Sequence, residues 1–142
     1  MSKRTIVIAG GAHGIGLAVA RAAAAQGDEA IIVDRVPPSG TVDARFVRAD
    51  LSSARQAEEA LGSLAKSEGR IDALVVAAGR AANGALGDRP AHEWSEHLSN
   101  DVLSVVVPAR VLLPALIQTG RDYGVADIVV IGSIAGDTAF KN

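Results

Sequence analysis

The chain has 142 residues, of which 49% are hydrophobic and only 3% aromatic, with a formal net charge of −2 and no cysteine. This length predicts one domain, and its core must be built from Ala, Val, Leu and Ile, a composition that suits helices packed on a parallel sheet. Interspersed acids and bases argue against a nucleic-acid partner, and the absence of cysteine excludes disulfides and thiolate metal sites.

Short apolar runs bounded by turn residues alternate with helical segments along the chain. Continuous apolar strands are typical of a sheet whose two faces are both covered, because neither face then meets water. The alternation predicts an α/β fold. The predicted strands cover residues 6–9, 30–33, 46–47, 73–77 and 128–131.

Helical segments are predicted between these strands. The first covers residues 15–26 and is followed by Gly27 as a left-handed C-cap. The second begins at Ser53, which together with Gln56 fits a capping box, and continues to residue 67. A third helix is predicted over residues 90–98 and a fourth over 101–119, closed by Gly120.

The fourth helix, residues 101–119, is apolar nearly all round, so one face can lie on the sheet while the other needs a partner. Two partners stay open: a second subunit, which makes the protein a homo-oligomer, or further elements of the same chain. Ser104, Pro108, Arg110 and Pro114 interrupt its apolar stretch, which therefore falls short of a membrane span. The basic N-terminus runs directly into a strand, so we expect a cytoplasmic protein with no membrane association.

A glycine-rich turn lies between the first strand and the first helix, with the sequence Gly10-Gly11-Ala12-His13-Gly14-Ile15-Gly16. Gly10 permits a tight turn, Gly14 lets backbone N–H groups approach a pyrophosphate, and Gly16 allows the helix to pack closely. The helix N-terminus directs its free amides and the positive end of its dipole at the phosphates. Between a strand and a helix, this pattern predicts a dinucleotide site. For His13, a cofactor contact and a solvated loop position both stay open.

An acidic residue, Asp34, ends the second strand 18 residues after Gly16. A carboxylate there accepts hydrogen bonds from the adenosine ribose hydroxyls and repels a 2′-phosphate, which favours NAD over NADP. Two other interpretations stay open: Asp34 merely starts a solvated loop, or the neighbouring Arg35 binds a phosphate. The sequence has no Gly-x-x-x-x-Gly-Lys-Ser/Thr motif, which excludes a P-loop nucleotide site.

Three motifs resemble the cofactor-binding half of the short-chain dehydrogenase/reductase family in its compact branch. The spacing Gly10-x-x-x-Gly14-x-Gly16 is similar to the family's cofactor turn, with Ala9 where many members have Thr. Asp50-Leu51 resembles the segment whose acid contacts adenine. Val76-Ala77-Ala78-Gly79 resembles the family's Asn-Asn-Ala-Gly strand end with both amides replaced.

Two later motifs resemble the catalytic part of the same family. Residues 92–104 are similar to a helix pair that carries a catalytic Asn, and counting from Trp94 puts that position at Asp101, one step from Asn100. Asp101 is equally a candidate helix N-cap. Residues 131–136 resemble the strand end that presents the catalytic serine, here Ser133.

The resemblance implies a Rossmann-like doubly wound parallel sheet and hydride transfer between a nicotinamide and an alcohol or ketone. In the family a Tyr acts as general acid and base, with its pKa lowered by a nearby Lys, while Ser holds the substrate oxygen. No Tyr-x-x-x-Lys occurs in this sequence. We therefore expect residues 1–142 to be an incomplete NAD(P)-binding domain that is inactive by itself. The alternative is a non-catalytic dinucleotide-binding or assembly module.

The resemblance and the glycine turn together nominate specific site residues. Ser133 and Asp101 are the catalytic candidates, and no metal is expected. The cofactor, NAD rather than NADP, is expected to contact Gly10, Gly11, His13, Gly14, Ile15, Gly16, Asp34, Arg35, Asp50, Leu51, Ala77, Ala78 and Gly79.

Overall fold

The computed structural model describes residues 3–80 and 86–136, and within them five strands form one parallel sheet in the order β3-β2-β1-β4-β5. From β1 the chain adds strands outward on one side and then crosses to add β4 and β5 on the other. This order confirms the predicted Rossmann-like doubly wound sheet. The strands are β1 (Thr5–Ala9), β2 (Glu29–Asp34), β3 (Arg45–Arg48), β4 (Ala73–Val76) and β5 (Asp127–Val130).

Helices follow the strands at the positions that the sequence predicts. They are α1 (Gly14–Ala25), α2 (Ala54–Ser67), α3 (Ala91–Leu98) and α4 (Ser104–Tyr123). Gly27 follows α1 with a φ of +81°, as predicted. The predicted end of the last helix at Gly120 is wrong. The residue that adopts the left-handed conformation and ends α4 is Gly124, with a φ of +92°.

A π-helical turn, Ser99–Leu103, joins α3 to α4, so the helix is continuous over Ala91–Tyr123. The segment between the two predicted helices contains neither Pro nor Gly, so nothing in its backbone interrupts the helix. The interpretation of Asp101 as a helix N-cap is therefore wrong, because this residue lies inside the π turn.

The continuous helix is long and apolar enough, by length and composition alone, to cross a membrane, so the prediction that its apolar stretch is too short is also wrong. Its packing nevertheless ties it to the sheet. Val107, Leu112 and Leu116 are buried in the same cluster as residues of α2 and of the central strands. We therefore assign α4 to the core of the domain.

Strand side chains alternate between two apolar layers, as a covered sheet requires. Val7, Ile31 and Leu74 face the layer formed with α2 and α4, whereas Ile8 and Ile32 face α1. The outer strand β5 differs from the predicted pattern. Its apolar side chains, those of Ile128, Val129 and Val130, are between 43% and 47% exposed, and within the described residues no strand pairs with its outer edge.

An ion pair ties β1 to the turn before β2 at the amino ends of the strands. Arg4 donates from Nε to Asp28 Oδ2 at 3.1 Å, and the Arg4 backbone N–H donates to Asp28 Oδ1 at 3.1 Å. The guanidinium hydrogen bond lowers the pKa of Asp28 below its ordinary value of 3.8, and the same bond raises the pKa of Arg4. This pair stabilises the edge of the sheet opposite the cleft described below.

Candidate functional site

The carboxyl ends of β1 to β4 open into a cleft of about 630 Å³. The cleft lies where the strand order reverses between β1 and β4, which is the usual ligand position in a doubly wound sheet. Its wall comes from the glycine turn, from the end of β2, from the residues that follow β2, β3 and β4, and from the π turn with the first residue of α4. These are Gly10, His13, Gly14, Ile15, Asp34, Arg35, Val36, Ala49, Asp50, Leu51, Ser52, Ala77, Ala78, Gly79, Arg80, Asn100 and Ser104.

Close packing explains three of the glycines in the turn. Gly10 has a φ of +84°, and a Cβ there would lie 2.4 Å from the backbone nitrogen of Ala78. A Cβ at Gly16 would lie 2.2 Å from the carbonyl oxygen of Gly10, so α1 starts against the turn itself, as predicted. Gly11 and Gly16 do not line the cleft. A Cβ at Gly11 would meet the Ile32 side chain at 2.9 Å, and the cofactor contacts of Gly11 and Gly16 stay predictions.

Gly14 faces open space instead. Its φ is +51°, and a Cβ there would meet no atom within 4 Å. The preceding residue, His13, caps α1 without a side-chain hydrogen bond, and the first turn of this helix contains no acid. The first amides of α1 therefore have no side-chain cap, which is the arrangement that binds a phosphate at a helix N-terminus.

The Asp34 carboxylate is fixed in the wall of the cleft by two backbone amides. Oδ2 accepts from the Ala12 N–H at 3.1 Å, and Oδ1 accepts from the Val36 N–H at 3.4 Å. A carboxylate has about four acceptor positions, so it still offers acceptors to a ligand. Asp34 is thus more than the start of a solvated loop, and Arg35 lies beside it on the same wall.

Asp50 is held by a different set of bonds. Its Oδ1 accepts from the Ser52 N–H at 3.0 Å and from the Ser52 hydroxyl at 2.7 Å. The predicted capping box forms only in part. Ser53 Oγ accepts from the Gln56 N–H at 3.5 Å, but Gln56 Oε1 accepts from the Asp50 N–H at 3.2 Å rather than from the cap residue. The Gln56 side chain of α2 thereby holds the backbone of the cleft residue Asp50 in place.

The end of β4 contributes a wall of backbone groups. Ala77, Ala78 and Gly79 line the cleft and bring no polar side chain to it. The Ala77 N–H donates to the Ala9 carbonyl at 2.8 Å, which holds this wall against the glycine turn. Arg80, which sequence reasoning did not select, extends the same wall.

The π turn places Asn100, not Asp101, on the wall of the cleft. Asp101 Oδ1 instead accepts from the Arg80 N–H at 3.4 Å. The Asn100 side chain donates to the Glu96 carbonyl at 2.7 Å, and the buried Ser104 hydroxyl donates to the Asn100 carbonyl. Ser104, like Ser52, is a cleft residue that the sequence analysis missed.

Ser133 lies just beyond the carboxyl end of β5, the strand that pairs with β4. It is therefore at the same edge of the sheet as the cleft, although it is not among the residues that form the cleft wall. Its carbonyl accepts from the Gly136 N–H at 3.1 Å. In the part of the chain that the structure describes, no cluster of three or more His, Cys, Asp or Glu side chains is placed to hold a metal.

Comparison with known proteins places this architecture among dehydrogenases. The short chain dehydrogenase family model matches residues 4–142. The CLA biosynthesis dehydrogenase/reductase of Lactiplantibacillus plantarum is 29% identical over 94% of this chain and 49% of its own length. The rhamnolipids biosynthesis 3-oxoacyl-(acyl-carrier-protein) reductase of Pseudomonas aeruginosa is 31% identical over 98% of this chain and 58% of its own length. The chain thus spans about half the length of the curated relatives it matches.

Solved structures agree with the family match. A Pseudomonas aeruginosa RhlG/NADP active-site complex superposes with a TM-score of 0.87 at 28% identity, covering 100% of this chain and 59% of that one. An NADH-dependent reductase, A1-R′, complexed with NAD has a TM-score of 0.86 at 22% identity over 95% of this chain and 61% of that one, a likeness of fold alone. The family model, the doubly wound sheet and the glycine turn lead to one conclusion: the chain belongs to the short-chain dehydrogenase/reductase family.

Proposed function

We propose that the cleft binds a nicotinamide adenine dinucleotide. We also propose that the protein containing this chain is an oxidoreductase that transfers a hydride between this cofactor and an alcohol or carbonyl substrate. The observation that carries the proposal is the uncapped N-terminus of α1 at Gly14, which opens into a cleft whose walls hold two fixed carboxylates, Asp34 and Asp50.

In this proposal, different residues of the cleft wall bind different parts of the dinucleotide. The amides of Gly14 and Ile15 would bind the pyrophosphate at the helix N-terminus. Asp34 would accept hydrogen bonds from the adenosine ribose, and Asp50 with Leu51 would contact adenine. Because β4 lies on the other side of β1 from β2, the nicotinamide half would lie along residues 77–79. When bound, the nicotinamide supplies or accepts the hydride.

The cofactor is NAD rather than NADP in this proposal, and Asp34 supports the choice. Among the similar structures, one holds NAD and another NADP, so the family likeness does not decide between them. A fixed carboxylate at the ribose favours two free hydroxyls, whereas a 2′-phosphate would place a second negative charge against it. The Ala12 and Val36 amides hold the Asp34 carboxylate in position at the cleft wall.

An Asp34→Asn variant tests this choice by calorimetric titration with NADH and NADPH. The wild-type chain is expected to bind NADH more tightly. The substitution removes the charge of residue 34 but keeps an acceptor. It should therefore narrow the preference for NADH over NADPH by about 10- to 100-fold, which corresponds to the free energy of a hydrogen bond to a charged group. Equal affinities in the wild type, or an unchanged preference in the variant, would contradict the proposal for NAD.

In the proposed chemistry, the Ser133 hydroxyl holds the substrate oxygen, and Asn100 takes the place of the family's catalytic Asn. Asn100 is favoured over Asp101 because it lies on the cleft wall, whereas the Asp101 carboxylate bonds to the backbone of Arg80. The family's acid and base is a Tyr that is followed by Lys. The coding sequence beyond Asn142 distinguishes the two hypotheses: a Tyr-x-x-x-Lys shortly after it supports the enzyme, and its absence supports a non-catalytic dinucleotide-binding module.

We also propose that a second copy of the chain covers the outer face of α4. Four apolar side chains form an exposed stripe along α4 and the end of the π turn before it, next to the row that contains the buried Leu112 and Leu116. On an ordinary protein surface, exposed apolar residues are scattered singly, whereas these four lie along one helix. This arrangement favours a homo-oligomer. Its members are Val102, Val106, Leu113 and Ile117.

A further inference from the structure

The segment after β2, residues 36–40, bonds to the glycine turn at a single residue, Ala12. Ala12 is completely buried in the middle of the turn. Its carbonyl accepts from the Ser39 N–H at 2.9 Å and from the Ser39 hydroxyl at 3.2 Å, while its own N–H donates to Asp34 Oδ2. Both polar backbone groups of Ala12 are therefore bonded to β2 and the segment that follows it.

This segment is itself held in place. Arg21 of α1 donates from Nη2 to the Ser39 carbonyl at 3.4 Å, and the Val36 N–H donates to Asp34 Oδ1. Pro37 and Pro38 restrict the backbone between these two attachments, since each ring fixes φ. Residues 36–40 thus form a short, restrained strap between β2 and α1, and Ser39 is its contact with the turn.

The strap acts on the part of the turn that leads into the helix. A peptide group is planar and trans, so fixing the Ala12 carbonyl toward Ser39 directs the His13 N–H the opposite way. His13 then continues in an extended conformation, with φ −144° and ψ 171°, into Gly14 at the start of α1. Glycine-rich backbone loses much conformational entropy when it is ordered, so an internal restraint reduces the cost of ordering it around a ligand.

We infer that Ser39 is a positioning residue for the cofactor, which through Ala12 holds the glycine turn in the geometry that binds the phosphates. This inference rests on the proposed dinucleotide function. Ser39 is not on the wall of the cleft, so its effect passes through the turn. The strap should matter to the adenosine diphosphate part of the ligand, because the turn lies on that side of the cleft.

Calorimetric titration of the wild type, Ser39→Ala and Ser39→Thr with NADH and with ADP tests the inference. Ser39→Ala removes one hydrogen bond and should lower the affinities for NADH and ADP by the same factor, between about twofold and tenfold. Ser39→Thr keeps the hydroxyl and should bind as the wild type does. In the ligand-free chain, the Ser39→Ala substitution should also speed hydrogen exchange at the buried Ala12 amide, which donates to Asp34.

An Asp28→Asn variant is the matched control. It weakens the ion pair with Arg4 at the opposite edge of the sheet, so it should lower stability and leave both affinities unchanged. Wild-type affinity in Ser39→Ala, an effect on NADH but not ADP, or a Ser39→Thr variant as weak as Ser39→Ala would each overturn the role of Ser39. Failure of the wild type to bind NADH or ADP would instead overturn the proposed function.

Discussion

Gly14 and Gly16 are two residues apart, yet the structure uses them for opposite reasons. A Cβ at Gly16 would collide with the Gly10 carbonyl oxygen at 2.2 Å, whereas a Cβ at Gly14 would enter open space at the cleft. Gly16 is needed because the chain packs against itself. Gly14 is needed because of its positive φ and, in the proposed function, because a phosphate approaches the backbone there.

Replacing Gly14 by valine should therefore abolish dinucleotide binding while the fold persists. The side chain would stand in the proposed path of the phosphates, and the left-handed backbone would add a strain of about 1–2 kcal/mol. Circular dichroism and calorimetric titration with NADH measure the two effects separately. As a control, Gly62→Ala in α2, which also meets no atom within 4 Å, should retain binding. Undiminished affinity in Gly14→Val would show that the turn is misassigned.

Some of the site residues could be predicted from the sequence, and others could not. Gly10, Gly14 and Asp34 are separated by spacings that follow from a strand, a turn and a helix, so their positions could be predicted. Asn100 could not be distinguished from Asp101, because a π turn inserts one residue and shifts which side chain faces the cleft. Ser39 was missed because its contact with Ala12 joins two loops through the tertiary fold.

Helix α4 shows that the pattern of apolar residues can predict a helix without predicting which of its faces is buried. The sequence is apolar nearly all round this helix, so the pattern predicts a helix but not which face lies on the sheet. In the structure the side chain of Leu112 is 0% exposed and that of Leu113 is 45% exposed. The choice between them depends on the positions of α2 and the central strands, which local sequence does not encode.

These adjacent leucines give a matched pair of variants. Leu112→Ala should lower the free energy of unfolding by about 2–5 kcal/mol, because it leaves a cavity in the core. Leu113→Ala should leave the stability of the monomer within about 0.5 kcal/mol of the wild type. In the proposed oligomer it should also weaken association, because Leu113 belongs to the exposed stripe. Urea denaturation at several protein concentrations, together with light scattering, measures both quantities.

Two outcomes would contradict this description of α4. Equal destabilisation by the two variants would mean that the helix is rotated relative to the structure. A wild-type chain that is monomeric at all concentrations would remove the proposed homo-oligomer, and the exposed stripe would then need another partner.

At the scale of the whole molecule, the α/β order and all five strands were predicted, because each strand is a short apolar run between turn signals. The exposure of β5 was not predicted. Whether an apolar strand is covered depends on elements that pack beyond it, and the run itself carries no information about them. The family match covers residues 4–142, while the chain spans about half the length of its curated relatives, 49% in one case. Hydride transfer to a substrate therefore stays part of the proposed function.

Titration of the isotopically labelled chain with NADH, followed by backbone amide NMR, is the most direct test of a dinucleotide site at the glycine turn. Binding there should produce saturable shifts that are largest at Gly14 and Ile15, with further shifts near Asp34 and Asp50. Amides around Asp28, at the opposite edge of the sheet, should stay unchanged. Absence of saturable shifts, or shifts that are largest around Asp28, would contradict a dinucleotide site at the glycine turn.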